Sequence, residues 1–235
     1  MAQKSDPYTS SVVGAPQADW LAKMKEKDRD YLSKAYSLST PAEARDLYDE
    51  WADSYDQDLD ELDYAFPSNA ANALVNALGN DREIADLKIL DAGCGTGLVG
   101  AILASEHGAK HIDGVDISSG MLKVARKTLA YQDLSEADLT KRIDREDGTY
   151  DAVICVGTLT EGHVGPAVLD EFVRVVKKGG IVDATVLEKI WTSHGFSDKV
   201  EELRSSGKVE VLSDSSVGLT KGKSTGGILV LLRKM

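Results

Sequence analysis

Lys88-Ile89-Leu90-Asp91-Ala92-Gly93-Cys94-Gly95-Thr96-Gly97 is the stretch on which the reading of this chain turns. Ile89 and Leu90 close a short apolar run of the kind that forms a buried strand. Glycines then alternate at Gly93, Gly95 and Gly97, where the backbone must turn sharply and a ligand can approach bare main chain. From Leu98 the pattern becomes helical, with Val99, Ile102 and Leu103 apolar and Gly108 a natural stop. Strand, glycine turn and helix make the opening unit of a nucleotide-binding α/β sheet, whose ligand lies at the carboxyl end of the strand.

Two ligand classes compete for such a turn. Gly95-Thr96-Gly97-Leu98-Val99-Gly100 satisfies the dinucleotide fingerprint G-x-G-x-x-G, a weak signal by itself. The longer string, Asp91-x-Gly93-x-Gly95-x-Gly97, resembles the first motif of the class I S-adenosylmethionine-dependent methyltransferases. Its carboxylate separates the two, because it repels a pyrophosphate and favours the ammonium of a methionine moiety. The resemblance implies a Rossmann-like α/β fold, a seven-stranded, mostly parallel sheet with helices on both faces. It also implies S-adenosyl-L-methionine as cofactor, with Asp91, Gly93 and Gly95 among its binding residues.

Composition narrows the partners. A formal net charge of -12 over 235 residues argues against nucleic acid or an anionic membrane, since phosphate binding needs clustered Lys and Arg. No apolar run approaches a membrane span, and Met1 to Ser10 has no signal-peptide core. Cys94 and Cys155 make no disulfide framework, and the 4 histidines show no metal-ligand spacing. A cytoplasmic protein with no bound metal is expected; its oligomeric state is left open.

Ahead of the glycine turn, Asp19 to Tyr36 carries apolar residues at amphipathic-helix spacing. Thr40-Pro41-Ala42-Glu43 is a capping box with proline at the first helical position, so a helix should start there and run through Leu47, Tyr48, Trp51 and Tyr55. The string Tyr48-Asp49-Glu50-Trp51-Ala52-Asp53-Ser54-Tyr55-Asp56 resembles the N-terminal segment of small-molecule methyltransferases. Together with Leu62-Asp63-Tyr64 and Pro67 it is most similar to the Williams–Beuren-region methyltransferase-like proteins. That resemblance implies a lid in which Tyr48, Trp51 and Tyr55 sit over the cofactor; spacing alone fits an ordinary core stripe as well. Residues 1–60 are therefore expected to form a helical extension and 61–235 the methyltransferase domain. Pro67 should open a further helix, ended by Gly79.

Downstream, His111-Ile112-Asp113-Gly114-Val115-Asp116 reads as a second strand ending in a carboxylate. Asp116 stands at the spacing where α/β nucleotide sites bind ribose hydroxyls, and a carboxylate accepts two hydrogen bonds from a vicinal diol. Ser118 or Ser119 should cap a helix bearing Met121, Leu122, Val124 and Leu129, with Ile117 and Met121 flanking an adenine. Within the resemblance, Asp138 followed by Leu139 reads the adenine amino group, and Val156, ending the apolar strand Tyr150 to Val156, reaches the cofactor. The loop Gly157-Thr158-Leu159-Thr160-Glu161-Gly162-His163 holds no [D/N/S]-P-P-[Y/F] string of the base-amine methyltransferases. No tyrosine in the chain has lysine four residues on, as short-chain hydride-transfer enzymes require.

Gly165 and Pro166 should open a helix through Val176 closed by Gly179-Gly180. Strands at Ile181 to Leu187, Val209 to Leu212 and Ile228 to Leu232 complete the sheet. The implied reaction moves a methyl group from a sulfonium to a small-molecule acceptor, and alignment in a water-poor pocket is the protein's main task. His163 is the best-placed base, although a loop histidine also suits a structural hydrogen bond; Trp191 and His194 are weaker candidates for the same pocket. An NAD(P)-dependent oxidoreductase and a cofactor-binding protein without methyl transfer are the alternatives.

Overall fold

Strand β1 (Lys88–Ala92) lies at the centre of the sheet, between β2 (His111–Asp116) and β4 (Tyr150–Leu159). This computed structural model describes residues 26–79 and 83–235; of the helix expected over residues 19–36, residues 19–25 lie outside them. Outward from β2 comes β3 (Asp133–Glu136); outward from β4 come β5 (Val176–Leu187), β7 (Gly226–Lys234) and β6 (Val209–Gly218). The seven-stranded order β3-β2-β1-β4-β5-β7-β6 is parallel from β3 to β5, and β7 pairs antiparallel with both of its neighbours. Asp91 is level with Gly114 of β2 and Ile154 of β4, so β1 and β2 end together while β4 runs on to Leu159, where the strand order reverses. Such a switch point opens a crevice at the carboxyl edge.

Eight helices are seen among the described residues: α1 (Glu26–Ala35), α2 (Pro41–Trp51), α3 (Tyr55–Asp60), α4 (Phe66–Leu78), α5 (Leu98–His107), α6 (Ser119–Ala125), α7 (Val168–Val175) and α8 (Phe196–Ser205). On one face, Leu169, Phe172 and Leu203 of α7 and α8 pack over Val153, Val182 and Val230. On the other, Ala70, Leu74 and Leu103 of α4 and α5 pack over Ile89, Ile112 and Ile154. Both faces of the parallel strands are covered, which is why their sequences read as continuous apolar runs. The N-terminal helices have a small core of their own, including Tyr31, Leu32, Leu47, Trp51, Leu59 and Leu62.

The capping box forms as expected: Thr40 Oγ1 accepts from the Glu43 amide at 3.2 Å, and Glu43 Oε2 accepts from the Thr40 amide at 3.0 Å. Other boundaries differ. The helix begun at Pro41 does not reach Tyr55 but stops at Trp51, because Asp58 draws in both Trp51 Nε1 (2.6 Å) and Ser54 Oγ (2.9 Å) and closes a turn. Leu129 is not on the apolar face of α6. That helix ends at Ala125, and Leu129 takes a left-handed conformation (φ 58°) with its side chain 90% exposed. Helix α7 ends without Gly179-Gly180, which lie inside β5; a Cβ on Gly180 would stand 2.7 Å from the Asp151 carbonyl of the neighbouring strand.

Candidate active site

The glycine turn after β1 holds two positions with different physical demands. Gly93 (φ 75°) and Gly95 (φ 53°) both adopt left-handed backbone. A Cβ on Gly93 would lie 2.2 Å from Thr158 Oγ1, so glycine here admits the end of β4. Nothing stands within 4 Å of a Cβ on Gly95, which faces open space. The turn is pinned to β2, for the Gly93 and Cys94 amides both donate to the Val115 carbonyl, at 2.8 and 3.0 Å.

Asp116 organises the second loop. Its Oδ2 accepts from the Gly95 amide at 2.9 Å and its Oδ1 from the Ser118 amide at 2.9 Å, which locks the carboxylate across both turns. Burial raises its pKa, and these amide hydrogen bonds oppose the rise. Each oxygen keeps acceptor capacity for a further donor.

These loops enclose a cavity of about 90 Å³. From the sheet it is lined by Gly93 and Gly95, then by Asp116, Ile117 and Met121, then by Asp138 and Leu139, and on the β4 side by Val156 and His163. Tyr48 of α2 and Tyr55 of α3 close the opposite wall. Asp138 reaches this wall with its carboxylate already engaged: Oδ1 accepts from the Thr140 amide at 2.9 Å and hydroxyl at 2.5 Å, and Oδ2 pairs with Lys141 at 3.0 Å. No Lys or Arg side chain is among the described residues that line the cavity.

Two residues expected at the cofactor do not line the cavity. Trp51 is 1% exposed; it stacks on Tyr31 at 5.2 Å and gives its indole N–H to Asp58, so it belongs to the core of the N-terminal helices. Its neighbours Tyr48 and Tyr55, half-buried, pack against that core and also line the cavity. Asp91 lies behind the glycine turn. Its Oδ2 accepts from the Tyr131 hydroxyl at 2.7 Å, and its buried Oδ1 has no partner among the described residues. Burial pushes this carboxyl up to about 7 against the Tyr131 hydrogen bond, and nearby Asp116 adds to the rise.

His163 is held on both ring nitrogens. Nδ1 lies 2.7 Å from the Glu161 carbonyl and 2.8 Å from Thr160 Oγ1, and Nε2 lies 3.0 Å from the Tyr48 hydroxyl. A carbonyl only accepts, so the proton sits on Nδ1 and Nε2 accepts from Tyr48. Burial lowers the His163 pKa, although the hydrogen bond to Glu161 works against it, and the ring is neutral at pH 7. Trp191 packs on the core beneath α8 and His194 is exposed; neither lines the cavity.

The sequence reading missed Pro41 and Ala44 of α2, Thr158 near the end of β4, and Gly162 and Val164 of the loop after it. Gly162 carried a usable signal, a glycine before the candidate base. A Cβ there would lie 2.0 Å from the Leu38 carbonyl, so it lets the loop meet the N-terminal segment. Among the described residues, no group of three His, Cys, Asp or Glu is placed to hold a metal ion, and no helix is long and apolar enough to cross a membrane.

Residues 89–180 match the family model described as a methyltransferase domain. With the strand order, the switch-point crevice and the Asp91 glycine string, this stretch is similar to the class I S-adenosylmethionine-dependent methyltransferases. The chain is similar to Methyltransferase-like protein 27 of Homo sapiens, with 40% identity over 152 residues that cover 64% of this chain and 60% of that protein. The chain thus spans little more than half the length of such curated relatives, 60% and 56% for two of them. Among solved structures it is similar to magnesium protoporphyrin IX methyltransferase from Synechocystis PCC 6803 with bound SAH (TM-score 0.60, 18% identity, 83% of this chain and 100% of that one). It is also similar to the [4+2]-cyclase SpnF (TM-score 0.62, 16% identity, 84% of this chain and 97% of that one). At such identities the likeness shows the fold alone, and one of the two is named for a different reaction.

Proposed function

We propose that this chain binds S-adenosylmethionine across the ends of β1, β2 and β4 and transfers its methyl group to a small acceptor that is neutral or cationic. The observation that carries the reading is Asp116, whose two oxygens are fixed by the Gly95 and Ser118 amides and still accept from a ribose diol. The open space at Gly95 and the unpartnered Oδ1 of Asp91 fit the same ligand, the first for close approach of backbone and the second for attraction of an ammonium. Ile117 and Met121 supply the apolar wall for a purine.

When bound, the cofactor supplies an activated methyl on a sulfonium. The chain's own residues align, exclude water and handle the proton. An O–H or N–H acceptor that took up the methyl group would shed a proton. His163, neutral and with Nε2 turned to the cavity through Tyr48, takes that proton. With Asp116 and Asp138 as the charges along the lining and no cation among the described lining residues, acceptors bearing carboxylate or phosphate are disfavoured. The cavity's 90 Å³ is well below the roughly 300–1,000 Å³ of ligand pockets, so the wall built by residues up to about 60 must yield when a ligand enters; residues 61–235 form the catalytic domain.

Calorimetry with S-adenosylhomocysteine, NAD and NADP tests the cofactor. Micromolar binding of the first, about 8 kcal/mol, with none of the others supports the reading, and the converse overturns it. Transfer of labelled methyl from S-adenosylmethionine to metabolite pools sorted by charge tests the acceptor. Label confined to the anionic pool would sink the charge argument.

A further inference from the structure

Thr96 and Ser118 sit in the two loops that carry the cofactor residues, one between Gly95 and Gly97, the other between Ile117 and Met121. They are 2% and 0% exposed, so their hydroxyl protons are shut away from water. Both protons go to aspartates of the N-terminal segment. Thr96 Oγ1 donates to Asp56 Oδ1, and Ser118 Oγ donates to Asp49 Oδ1 at 2.6 Å. The Gly120 amide donates to the same Asp49 oxygen at 2.7 Å. Ser118 Oγ meanwhile accepts from the Met121 amide at 3.0 Å, so its capping of α6 and its grip on Asp49 are one chain of hydrogen bonds. Backbone approach agrees: a Cβ on Gly120 would lie 3.0 Å from Asp49 Cα and 3.1 Å from its carbonyl oxygen, tight enough that α2 would have to give by a few tenths of an ångström.

We infer that Asp49 and Asp56 are positioning residues, which hold the N-terminal segment onto the β2 and β1 loops respectively and thereby set the geometry of both cofactor loops. The aromatic stripe between them serves the cavity wall and the small N-terminal core, whereas the aspartates make the docking. Because Asp49 touches the loop after β2 and Asp56 the glycine turn, the two act on separable parts of the site. The inference rests on the proposed function only for the identity of the ligand.

Amide hydrogen exchange of the ligand-free protein is the direct test, with S-adenosylhomocysteine calorimetry beside it. Asp49→Ala should speed exchange at residues 117–121 and Asp56→Ala at residues 93–97, each together with residues 41–60. Each alanine variant should weaken S-adenosylhomocysteine binding about tenfold, the scale of one charged hydrogen bond, while Asp49→Asn and Asp56→Asn, which keep an acceptor oxygen, should stay within about threefold of wild type. Gly120→Ala retains both carboxylates but forces α2 away, and should reproduce the Asp49→Ala pattern. Unchanged loop exchange in the alanine variants, or equal damage in alanine and asparagine variants, overturns the inference. If the wild-type protein does not bind S-adenosylhomocysteine, the proposed function falls, and the exchange experiment still decides the docking role.

Discussion

The cavity has two walls of different origin. The wall formed by the loops after β1 and β2 is built from short local segments: Gly93 and Gly95 in one turn, Asp116 to Met121 in another, tied by backbone hydrogen bonds. The facing wall is assembled from distant pieces, Tyr48 and Tyr55 before the sheet and His163 after β4, with Tyr48 and its hydrogen-bond partner 115 positions apart in the chain. The first wall ties its two turns together through Asp116 and is also held from outside by Asp49 and Asp56. The second depends on docking of one segment on another. The following variants probe this contrast, from the largest expected effect to the smallest.

Asp116→Ala strikes the first wall at its centre. It removes the acceptors proposed for two ribose hydroxyls, at about 1.5–3 kcal/mol each, so S-adenosylhomocysteine affinity should fall about 10²–10⁴-fold. A folded variant with wild-type affinity would show that the ligand does not use this carboxylate. His163→Asn strikes the assembled wall and should lower turnover by about 10²-fold, the lower end for a general base, while leaving cofactor affinity nearly intact. The His163 pKa is depressed, so the wild-type rate should fall only as pH drops through a value below the usual histidine range. The variant should lose that acid limb. A limb that persists in His163→Asn assigns it to another group.

A glycine pair within one turn sharpens the comparison further. Gly93→Ala meets Thr158 and left-handed backbone together, and should cost about 2 kcal/mol, or about 4–8 °C in Tm. Gly95→Ala meets open space. It should destabilise the fold less but put a methyl into the ligand's place, which weakens S-adenosylhomocysteine about tenfold. Equal effects of the two on stability and binding would contradict the separate roles.

The smallest effect is a proton. Burial pushes the Asp91 carboxyl up to about 7 from its ordinary 3.8, so between these the native state holds more protons than the unfolded chain. Its contribution to stability is therefore fully present below about pH 4, declines as pH rises, and is lost above about 7. Asp183, enclosed in the core with neither oxygen partnered among the described residues, is raised by burial and acts in the same sense. Asp91→Asn should flatten the slope of stability against pH up to about 7. An ammonium beside Asp91 favours its ionised form, so ligand binding near pH 6.5 should release a fraction of a proton, visible in buffers of different ionisation enthalpy. Equal binding enthalpies across those buffers, once corrected, would place the ammonium elsewhere.

Legibility followed the range of the interactions. Strand β1, the glycine turn and the Asp116 loop were readable because their requirements are local: a left-handed backbone at Gly93 and Gly95, a serine cap on α6, a carboxylate at a strand end. Boundaries set by neighbouring chain were not. The stop after Trp51 is made by Asp58, and the glycines inside β5 are required by the carbonyl of Asp151 on another strand. Leu129 kept helical spacing on paper and yet left the helix, since periodicity does not record where hydrogen bonding ends.

The amino-acid sequence by itself determined the α/β class, the strand end that faces the ligand and the acidic residue beside the glycine turn, because backbone sterics and strand burial act within a few residues. Only the tertiary structure decided the duties within Tyr48 to Asp56. There Tyr48 and Tyr55 face the cavity, Trp51 is buried behind them, and Asp49 and Asp56 dock on loops at Ser118 and Thr96. The physical reason is that helical spacing records which residues share a side, whereas what that side meets is set by segments far along the chain.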